Sequence, residues 1–231
     1  MNQVTTMLGF DKTDVKRLVV LGVLLLWCTT MIAVRMDRTG SGYYRFLLGN
    51  LFLAFIPLLL SSGLRVADRL NLNWLIKVGV FSLWLLFLPN APYILTDILH
   101  LPRANQAPVW YDLALLLSCS GTGVLMGYLS LIDVQMIVAR RYSAVVGWMF
   151  AITALVLSGF AIYLGRFLRW NSWDVITTPT LMLNLAEALL HPTSQAHLLS
   201  VTCIFGIILA LGYISLRLLL DSSGGRSHES S

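Results

Sequence analysis

The sequence predicts an all-α fold, a polytopic transmembrane helical bundle of about six spans with short interfacial helices on the extracytoplasmic face. Composition is the first observation behind this prediction. Hydrophobic residues make up 57% of the 231 residues, charged residues make up 12%, and the mean hydropathy is +0.77. Soluble domains carry roughly 25% charged residues, so the composition excludes an ordinary soluble enzyme and a disordered chain.

The distribution of the apolar residues is the second observation. Apolar stretches are predicted to cross the membrane over residues 18–34, 46–64, 72–88, 113–132, 145–164 and 197–220. Each is close to the roughly 20 residues that a helix needs to cross the hydrocarbon layer. They predict a single six-span membrane domain over residues 18–220, after an N-terminal cytoplasmic segment (1–17). A C-terminal tail rich in Ser and Gly (221–231) is predicted to be flexible.

The basic residues, the third observation, indicate an orientation. Six single crossings place both termini on one side and the loops after the first, third and fifth spans on the other. Ten of the 16 Lys and Arg lie on the side of the termini, so the positive-inside rule places both termini in the cytoplasm. No basic face typical of nucleic-acid binding is visible, and the expected partner is the lipid bilayer. The six on the other side are Arg35, Arg38, Arg45, Arg103, Arg166 and Arg169.

Cysteines and glycines inside the spans are expected to pack. Cys28, Cys119 and Cys203 lie in apolar stretches, and no two of them have the spacing of metal ligands. We therefore expect small packing residues, and the sequence predicts neither a metal nor a cofactor. Gly123 and Gly127 form one Gly-x-x-x-Gly pair, which predicts close helix packing.

Polar residues concentrate after the third span. Between Pro92 and Pro102 a short helix is predicted, which would lie in the membrane interface or dip into the bundle. At 100° per residue, four of its polar side chains fall on one face. Asn90 precedes this helix, and Trp110, Tyr111 and Asp112 follow it. The four side chains are Tyr93, Thr96, Asp97 and His100.

The segment after the fifth span is the second polar region. Arg166 and Arg169 are followed by Asn171 and Asp174, with Trp170 and Trp173 between them. A second interfacial helix is predicted from Thr178 to Pro192, with Thr178 as N-cap. Both polar regions lie on the same side of the membrane if the chain crosses six times.

Two interpretations of these regions stay open. In the structural one, Arg166 and Arg169 reach toward headgroups or pair with Asp97, Asp112 or Asp174, and the aromatic residues form the interfacial belt. In the functional one, the two arginines hold an anionic group such as a phosphate or a carboxylate. Asp97 and His100 are then the candidate acid and base. The candidate ligand-binding residues are Asn90, Tyr93, Asp112, Arg166, Arg169, Asn171 and Asp174.

Asp133, near the opposite end of the fourth span, is interpreted as a polar residue at a helix end. A role in a proton relay is the alternative, because ionisable residues inside spans are costly.

Three stretches resemble signatures of the bacterial "domain of unknown function 1361" family. They are Leu88–Leu101, Trp110–Asp112 and Tyr163–Asp174, and the resemblance covers roughly residues 46–220. It implies a multi-span bacterial membrane protein, which we expect in the bacterial cytoplasmic (inner) membrane. It implies no activity.

Three functions remain on the sequence alone. The leading one is binding of an anionic small molecule, a lipid headgroup or a partner protein at the extracytoplasmic face; no particular protein partner is predicted. The first alternative is a membrane-embedded enzyme acting on a lipid-linked or polar substrate, with Asp97 and His100 as acid and base and Arg166 and Arg169 as anion clamp. The second is a small-solute transporter, which is less favoured because no paired broken helices are visible.

Overall fold

The computed structural model describes residues 12–103, 107–169 and 192–225. Every regular element in these ranges is helical, and six helical segments are long and apolar enough to cross a membrane, which confirms the all-α, six-span prediction. The predicted second interfacial helix lies outside the described residues. The α-helices are α1 (Lys12–Thr39), α2 (Phe46–Arg69), α3 (Trp74–Phe87), α4 (Asn90–Tyr93), α5 (Val109–Arg141), α6 (Ala144–Phe167) and α7 (Pro192–Gly225), with a 3₁₀ helix over Ile94–Arg103.

Several helices extend beyond their apolar stretches. Helix α1 begins at Lys12, within the segment predicted to precede the first span, and α5 runs for 33 residues to Arg141. Some of the charges beyond the apolar stretches have partners in the bundle, as with Arg17, which contacts Asp133. A prediction from hydropathy ends a span at the first charged residue, because it does not include ion pairs with residues elsewhere in the chain.

The chain forms two compact units, with the boundary after Gly147. In the second unit, α6 and α7 approach closely at two glycines: a Cβ on Gly159 would lie 2.7 Å from the carbonyl oxygen of Thr202 and 2.9 Å from the amide nitrogen of Gly206. The first unit contains α1 to α5 and the 3₁₀ helix, and its core lies between α1, α2 and α5.

The third span is interrupted. Helix α3 has 14 residues, about 21 Å, which is short of the roughly 30 Å hydrocarbon layer. Pro89 follows it, and the chain continues as α4 and the 3₁₀ helix, both packed against α5. This segment therefore dips into the bundle, one of the two placements that the sequence allowed.

Gly123 and Gly127 of α5 make this packing possible. A Cβ on Gly123 would lie 2.7 Å from the carbonyl oxygen of Ala91, and one on Gly127 would lie 2.9 Å from the Ala91 Cβ. Ala91 is fully buried. The close-packing prediction for this glycine pair is confirmed, and the packed partner is the interrupted third span.

Where the third span is interrupted, polar side chains donate hydrogen bonds to backbone carbonyl groups. The Asn90 amide donates to the Phe87 carbonyl at 3.0 Å, and the Thr96 hydroxyl donates to the Tyr93 carbonyl at 2.7 Å. From α5, the Ser120 hydroxyl donates to the Ile94 carbonyl at 3.0 Å. Irregular backbone at membrane depth is tolerated where its polar groups are buried and bonded in this way.

Two ion pairs tie α1 to α5 at opposite ends. Arg17 contacts Asp133, and Arg35 contacts Asp112. The two arginines are 18 residues apart, about 27 Å along the helix, which is close to the roughly 30 Å hydrocarbon thickness. Gly123 is 11 residues from Asp112 and 10 from Asp133, so the break in the third span lies near mid-depth.

Candidate functional site

A polar cluster lies where α1 ends, α2 begins and the 3₁₀ helix ends. We call it the Arg35 rim and define it by Arg35, Tyr43, Tyr44, Asn50, Asp97, His100 and Asp112. All of these residues belong to the first unit. Three of them, Asp97, His100 and Asp112, are candidates that the sequence singled out.

Arg35 and Asp112 form the centre of the rim. The Arg35 Nε donates to Asp112 Oδ1 at 2.7 Å, and Nη2 donates to Oδ2 at 3.1 Å. Both side chains are at most 1% exposed. Two parallel hydrogen bonds between charged groups compensate for desolvation better than a single contact does. The partner of Asp112 is thus Arg35. The sequence predicts Arg166 or Arg169 for an ion pair with Asp112 and places Arg35 only among the flanking charges.

Tyr44 packs beneath this pair. The Arg35 guanidinium carbon lies 4.5 Å from the centre of the Tyr44 ring, and Tyr44 is fully buried. Burial, and then the negative charge of Asp112, raise the pKa of the Tyr44 phenol to about 12. The phenol therefore keeps its proton near neutral pH and is available as a hydrogen-bond donor.

Two donors at this point have no acceptor. Arg35 Nη1 and the Tyr44 hydroxyl are buried and make no hydrogen bond within the part of the chain that the structure describes. Buried donors normally have a partner, because leaving one unpaired costs roughly 1–3 kcal/mol.

Asp97 is held from α2. The Asn50 amide nitrogen donates to Asp97 Oδ2 at 2.7 Å, and Asp97 is 1% exposed. After burial and the charge of Asp112, the negative charge of Asp97 makes a smaller contribution to the raised pKa of the Tyr44 phenol. The sequence alone does not indicate that Asn50 and Asp97 meet, since they are 47 positions apart. The sequence feature that indicates a partner for Asn50 is its position as an amide inside an otherwise apolar span, since polar groups in spans usually have partners.

The helix type changes the predicted face around His100. A 3₁₀ helix has three residues per turn, so Asp97 and His100 share one row, whereas Thr96 lies on the next. The predicted common face of Tyr93, Thr96, Asp97 and His100 is therefore wrong for this segment. The His100 ring lies 5.2 Å from the Phe46 ring and 6.5 Å from the Tyr43 ring, and is partly exposed.

The remaining candidate residues from the sequence lie outside the Arg35 rim. Asn90 caps α3, and Tyr93 ends α4 and is partly exposed. Arg166 lies in the last turn of α6 and is partly exposed; Arg169 follows that helix, is exposed and has a φ of 60°. Both belong to the second unit. Asn171 and Asp174 lie outside the described residues, so the convergence of this group with Asp97 and His100 stays a prediction.

Asp133 occupies a second ionic cluster at the other end of the first unit. Its carboxylate contacts Arg17 at 3.0 Å and Arg65 at 3.4 Å, and Arg65 contacts Asp14 at 2.9 Å. Asp133 is 1% exposed. Two positive and two negative side chains balance, so this cluster links α1, α2 and α5 without a net charge.

The Arg35 rim has the chemistry of a hydrogen-bonding site. It offers two unpaired donors, a partly exposed imidazole and flanking aromatic rings. In the described ranges, no group of three or more His, Cys, Asp or Glu side chains is arranged to hold a metal ion.

Comparison with known proteins gives one match. A family model described as "Protein of unknown function (DUF1361)" matches residues 49–211, more than two thirds of the chain. No curated protein and no solved structure matches. The matched range contains Asn50, the interrupted third span and Asp112, whereas Arg35 and Tyr44 precede it.

Proposed function

Because this chain belongs to the DUF1361 family, whose description assigns no activity, we propose a function from the Arg35 rim. The protein is a multi-pass membrane protein that binds the phosphate of an anionic lipid headgroup at this rim. The Arg35 rim faces the extracytoplasmic side of a bacterial cytoplasmic membrane in this proposal, and both termini lie in the cytoplasm.

The observation that carries the proposal is the stacked pair of Arg35 and Tyr44. Arg35 Nη1 and the Tyr44 hydroxyl are both donors, both are buried, and neither has an acceptor among the described residues. A phosphate oxygen is an acceptor that matches a guanidinium and a phenol. A cation would leave both donors unpaired, so the ligand must offer acceptor atoms, as the oxygens of a phosphate do.

Two exposed arginines flank the stacked pair. Arg38 lies one turn beyond Arg35 on α1, and Arg45 follows Tyr44 directly. Both are exposed, and neither forms an ion pair with any residue in the described ranges. They supply positive charge where a headgroup would approach, which offsets the carboxylates of Asp97 and Asp112.

The surroundings favour a lipid over a soluble anion. Phe46, Leu99 and Trp110 are exposed beside the charged residues of this end of the unit. Trp is enriched at the level of the headgroups, because its ring is apolar and its N–H group is polar, and the exposed Phe and Leu side chains add apolar surface beside it. A ligand with both a phosphate and acyl chains uses both features.

The test is lipid binding to the detergent-purified full chain. Native mass spectrometry and thermal unfolding are followed while phosphatidylglycerol or phosphatidylcholine is added. We expect phosphatidylglycerol to bind more tightly and to raise the unfolding temperature, because a ligand stabilises the state that binds it. Arg38→Ala/Arg45→Ala should lose about tenfold or more in affinity, since a charged hydrogen bond contributes roughly 1.5–3 kcal/mol.

The matched control removes two arginines from the end of α5. Arg140→Ala/Arg141→Ala should bind phosphatidylglycerol like the wild type, and Tyr44→Phe should lose affinity without losing any charge. Equal losses in both arginine pairs would indicate nonspecific charge attraction and overturn the proposal. If glycerol phosphate alone binds as tightly with the same dependence, the ligand is a free phosphate ester and not a lipid.

An enzyme is the second candidate, because Asp97 and His100 share a row of the 3₁₀ helix. Asp97 would orient the imidazole and His100 would transfer a proton to or from a lipid-linked or polar substrate. The burial of Asp97 and its bond from Asn50 fit an orienting role better than that of a free base. His100→Gln should then abolish turnover of a lipid substrate while leaving its binding intact; turnover equal to wild type would remove this candidate.

A further inference from the structure

An arginine of the second unit lies near the C-terminal end of the last span. Arg217 belongs to α7 and lies five residues before the end of the apolar segment Gln195–Ser222. Its guanidinium carbon is 5.8 Å from the centre of the Trp148 ring of α6. The Trp148 ring contacts the fully buried ring of Tyr213 edge to face, with 5.9 Å between the ring centres. We call Trp148, Tyr213 and Arg217 the Arg217 patch.

The guanidinium of Arg217 has no acceptor among the described residues. Its Nε atom is buried without a hydrogen bond, and the group forms no ion pair in the described ranges. Asp221 stands four residues further along α7, at the spacing typical of helical ion pairs, but it is exposed and does not pair with Arg217. Because charged groups within spans are costly and usually paired, the patch offers its charge and its donors to an anion.

Trp148 holds the guanidinium in place. A cation is attracted to the face of an indole ring, and the buried Nε shows that the Arg217 side chain lies against α6. An arginine that only extended into water would have its whole guanidinium hydrated. The donors of Arg217 are therefore held at one position between α6 and α7.

We propose that the Arg217 patch binds the phosphate of an anionic lipid in the leaflet next to the termini. A planar guanidinium matches phosphate oxygens. Basic pockets between transmembrane helices on the cytoplasmic side recognise anionic headgroups, and the C-terminal end of α7 is predicted to lie on that side. The patch belongs to the second unit, and the proposal is independent of the Arg35 rim.

The surroundings of Arg217 favour a lipid over a soluble anion. Met149 follows Trp148 on α6, Leu218 and Leu219 follow Arg217 on α7, and all three are exposed. Exposed apolar side chains of a span contact acyl chains, which are as apolar as Leu. Five residues of helix correspond to about 7.5 Å, a depth from which a long arginine side chain reaches the headgroups.

The test is lipid binding by the detergent-purified full chain, followed by native mass spectrometry with phosphatidylglycerol, phosphatidylcholine or glycerol phosphate. We expect phosphatidylglycerol to bind more tightly than the other two. Arg217→Gln should lose about tenfold or more in affinity, the size expected for a charged hydrogen bond. Trp148→Leu should lose less, because the charge remains.

The two proposed lipid sites are scored separately. Arg217→Gln is compared with Arg217 both in the wild type and in the Arg38→Ala/Arg45→Ala background, in which binding at the Arg35 rim is expected to be weakened. If the rim does not bind lipid, the loss in Arg217→Gln is the same in both backgrounds. Phosphatidylglycerol binding that is undiminished by Arg217→Gln in both backgrounds overturns the proposal for the Arg217 patch.

Arg141 provides the matched control. Its guanidinium carbon also lies over an aromatic ring, 5.9 Å from the centre of Tyr142, but both residues are exposed at the end of α5. Arg141→Gln should bind phosphatidylglycerol like the wild type. Equal losses in Arg141→Gln and Arg217→Gln would indicate general charge attraction and overturn the proposal. Glycerol phosphate that binds as tightly, with the same dependence on Arg217, would identify a free phosphate ester and overturn the assignment of a lipid.

Unfolding without lipid separates a binding role from a structural one. Arg217→Gln removes a charge that has no counter-charge among the described residues, so it should unfold at the wild-type temperature or above it. Phosphatidylglycerol should raise the unfolding temperature more with Arg217 present than in Arg217→Gln, because a ligand stabilises the state that binds it. A large loss of stability in lipid-free Arg217→Gln would assign Arg217 to the fold and overturn the proposal.

Discussion

Arg35 and Asp112 form a doubly hydrogen-bonded ion pair, with N–O distances of 2.7 and 3.1 Å, that is almost completely removed from solvent. It connects the last turns of α1 to the first turn of α5. At the other end of the same two helices, Arg17 contacts Asp133. Helix α1 is therefore fixed to α5 at two levels, whereas its apolar surface between them is partly exposed and partly packed in the core.

Breaking the Arg35 pair should destabilise the first unit strongly. Asp112→Asn leaves a buried guanidinium without its counter-charge, which typically costs about 3–5 kcal/mol. Arg35→Lys should also destabilise, because an ammonium cannot form the two parallel bonds or stack on Tyr44 in the same way. The measurement is thermal or denaturant unfolding of the detergent-purified protein.

The double variant Arg35→Met/Asp112→Leu is the control for this prediction. It removes both charges and should recover most of the loss, since a buried ion pair can be replaced by apolar residues at little cost. If Asp112→Asn unfolds like the wild type, the pair does not hold these helices together.

Gly123 should not accept a side chain. In Gly123→Ala the new methyl group would lie 2.7 Å from the Ala91 carbonyl oxygen, so the backbone of the interrupted span must shift, at about 1–3 kcal/mol. Gly121→Ala, two residues away, meets nothing within 4 Å. That variant should be neutral or slightly stabilising, because Ala has the higher helix propensity. Equal stabilities in an unfolding assay would contradict the packing.

The phenol of Tyr44 should lose its proton at a higher pH than an ordinary tyrosine does. Its pKa is raised from 10.0 to about 12, first by burial and then by Asp112. The folded state therefore holds the phenol proton more tightly than the unfolded state, a stabilisation present below pH 10 and lost as the pH rises through about 12. The measurement is tyrosinate absorbance of the wild type against Tyr44→Phe. A difference spectrum that titrates near 10 in the folded protein would be inconsistent with a buried phenol.

The two polar regions are predicted to lie on one side of the membrane. Leu99 and Arg169 are exposed, and each can be replaced by Cys in a Cys203→Ser background, where Cys28 and Cys119 are buried. A membrane-impermeant maleimide added to intact cells should label both replacements.

Tyr142, at the C-terminal end of α5, is the control for the side of the membrane on which the termini are predicted to lie. It is exposed, and Tyr142→Cys should be labelled only after the cells are permeabilised. Labelling of Arg169→Cys with the pattern of Tyr142→Cys would place the two polar regions on opposite faces and remove Arg166 and Arg169 from the site.

Hydropathy and local chemistry determined much of the architecture in advance. The six spans, the end of α3 before Pro89 and the packing role of the Gly123 pair all follow from features within a few residues in the chain. Helix ends were the least accurate, because α1 and α5 continue through charges that have partners elsewhere.

Only the tertiary structure decided which polar groups meet. Arg35 pairs with Asp112 across 77 positions, and Asn50 with Asp97 across 47. Local periodicity cannot encode such separations, and it also assumed 3.6 residues per turn where the segment around Asp97 has three. The amino-acid sequence by itself determined that the chain crosses a membrane and which residues are costly there. Packing of α1 and α2 against α5 selected the partners of those residues, because a buried charge is stable only where its counter-charge is brought to it.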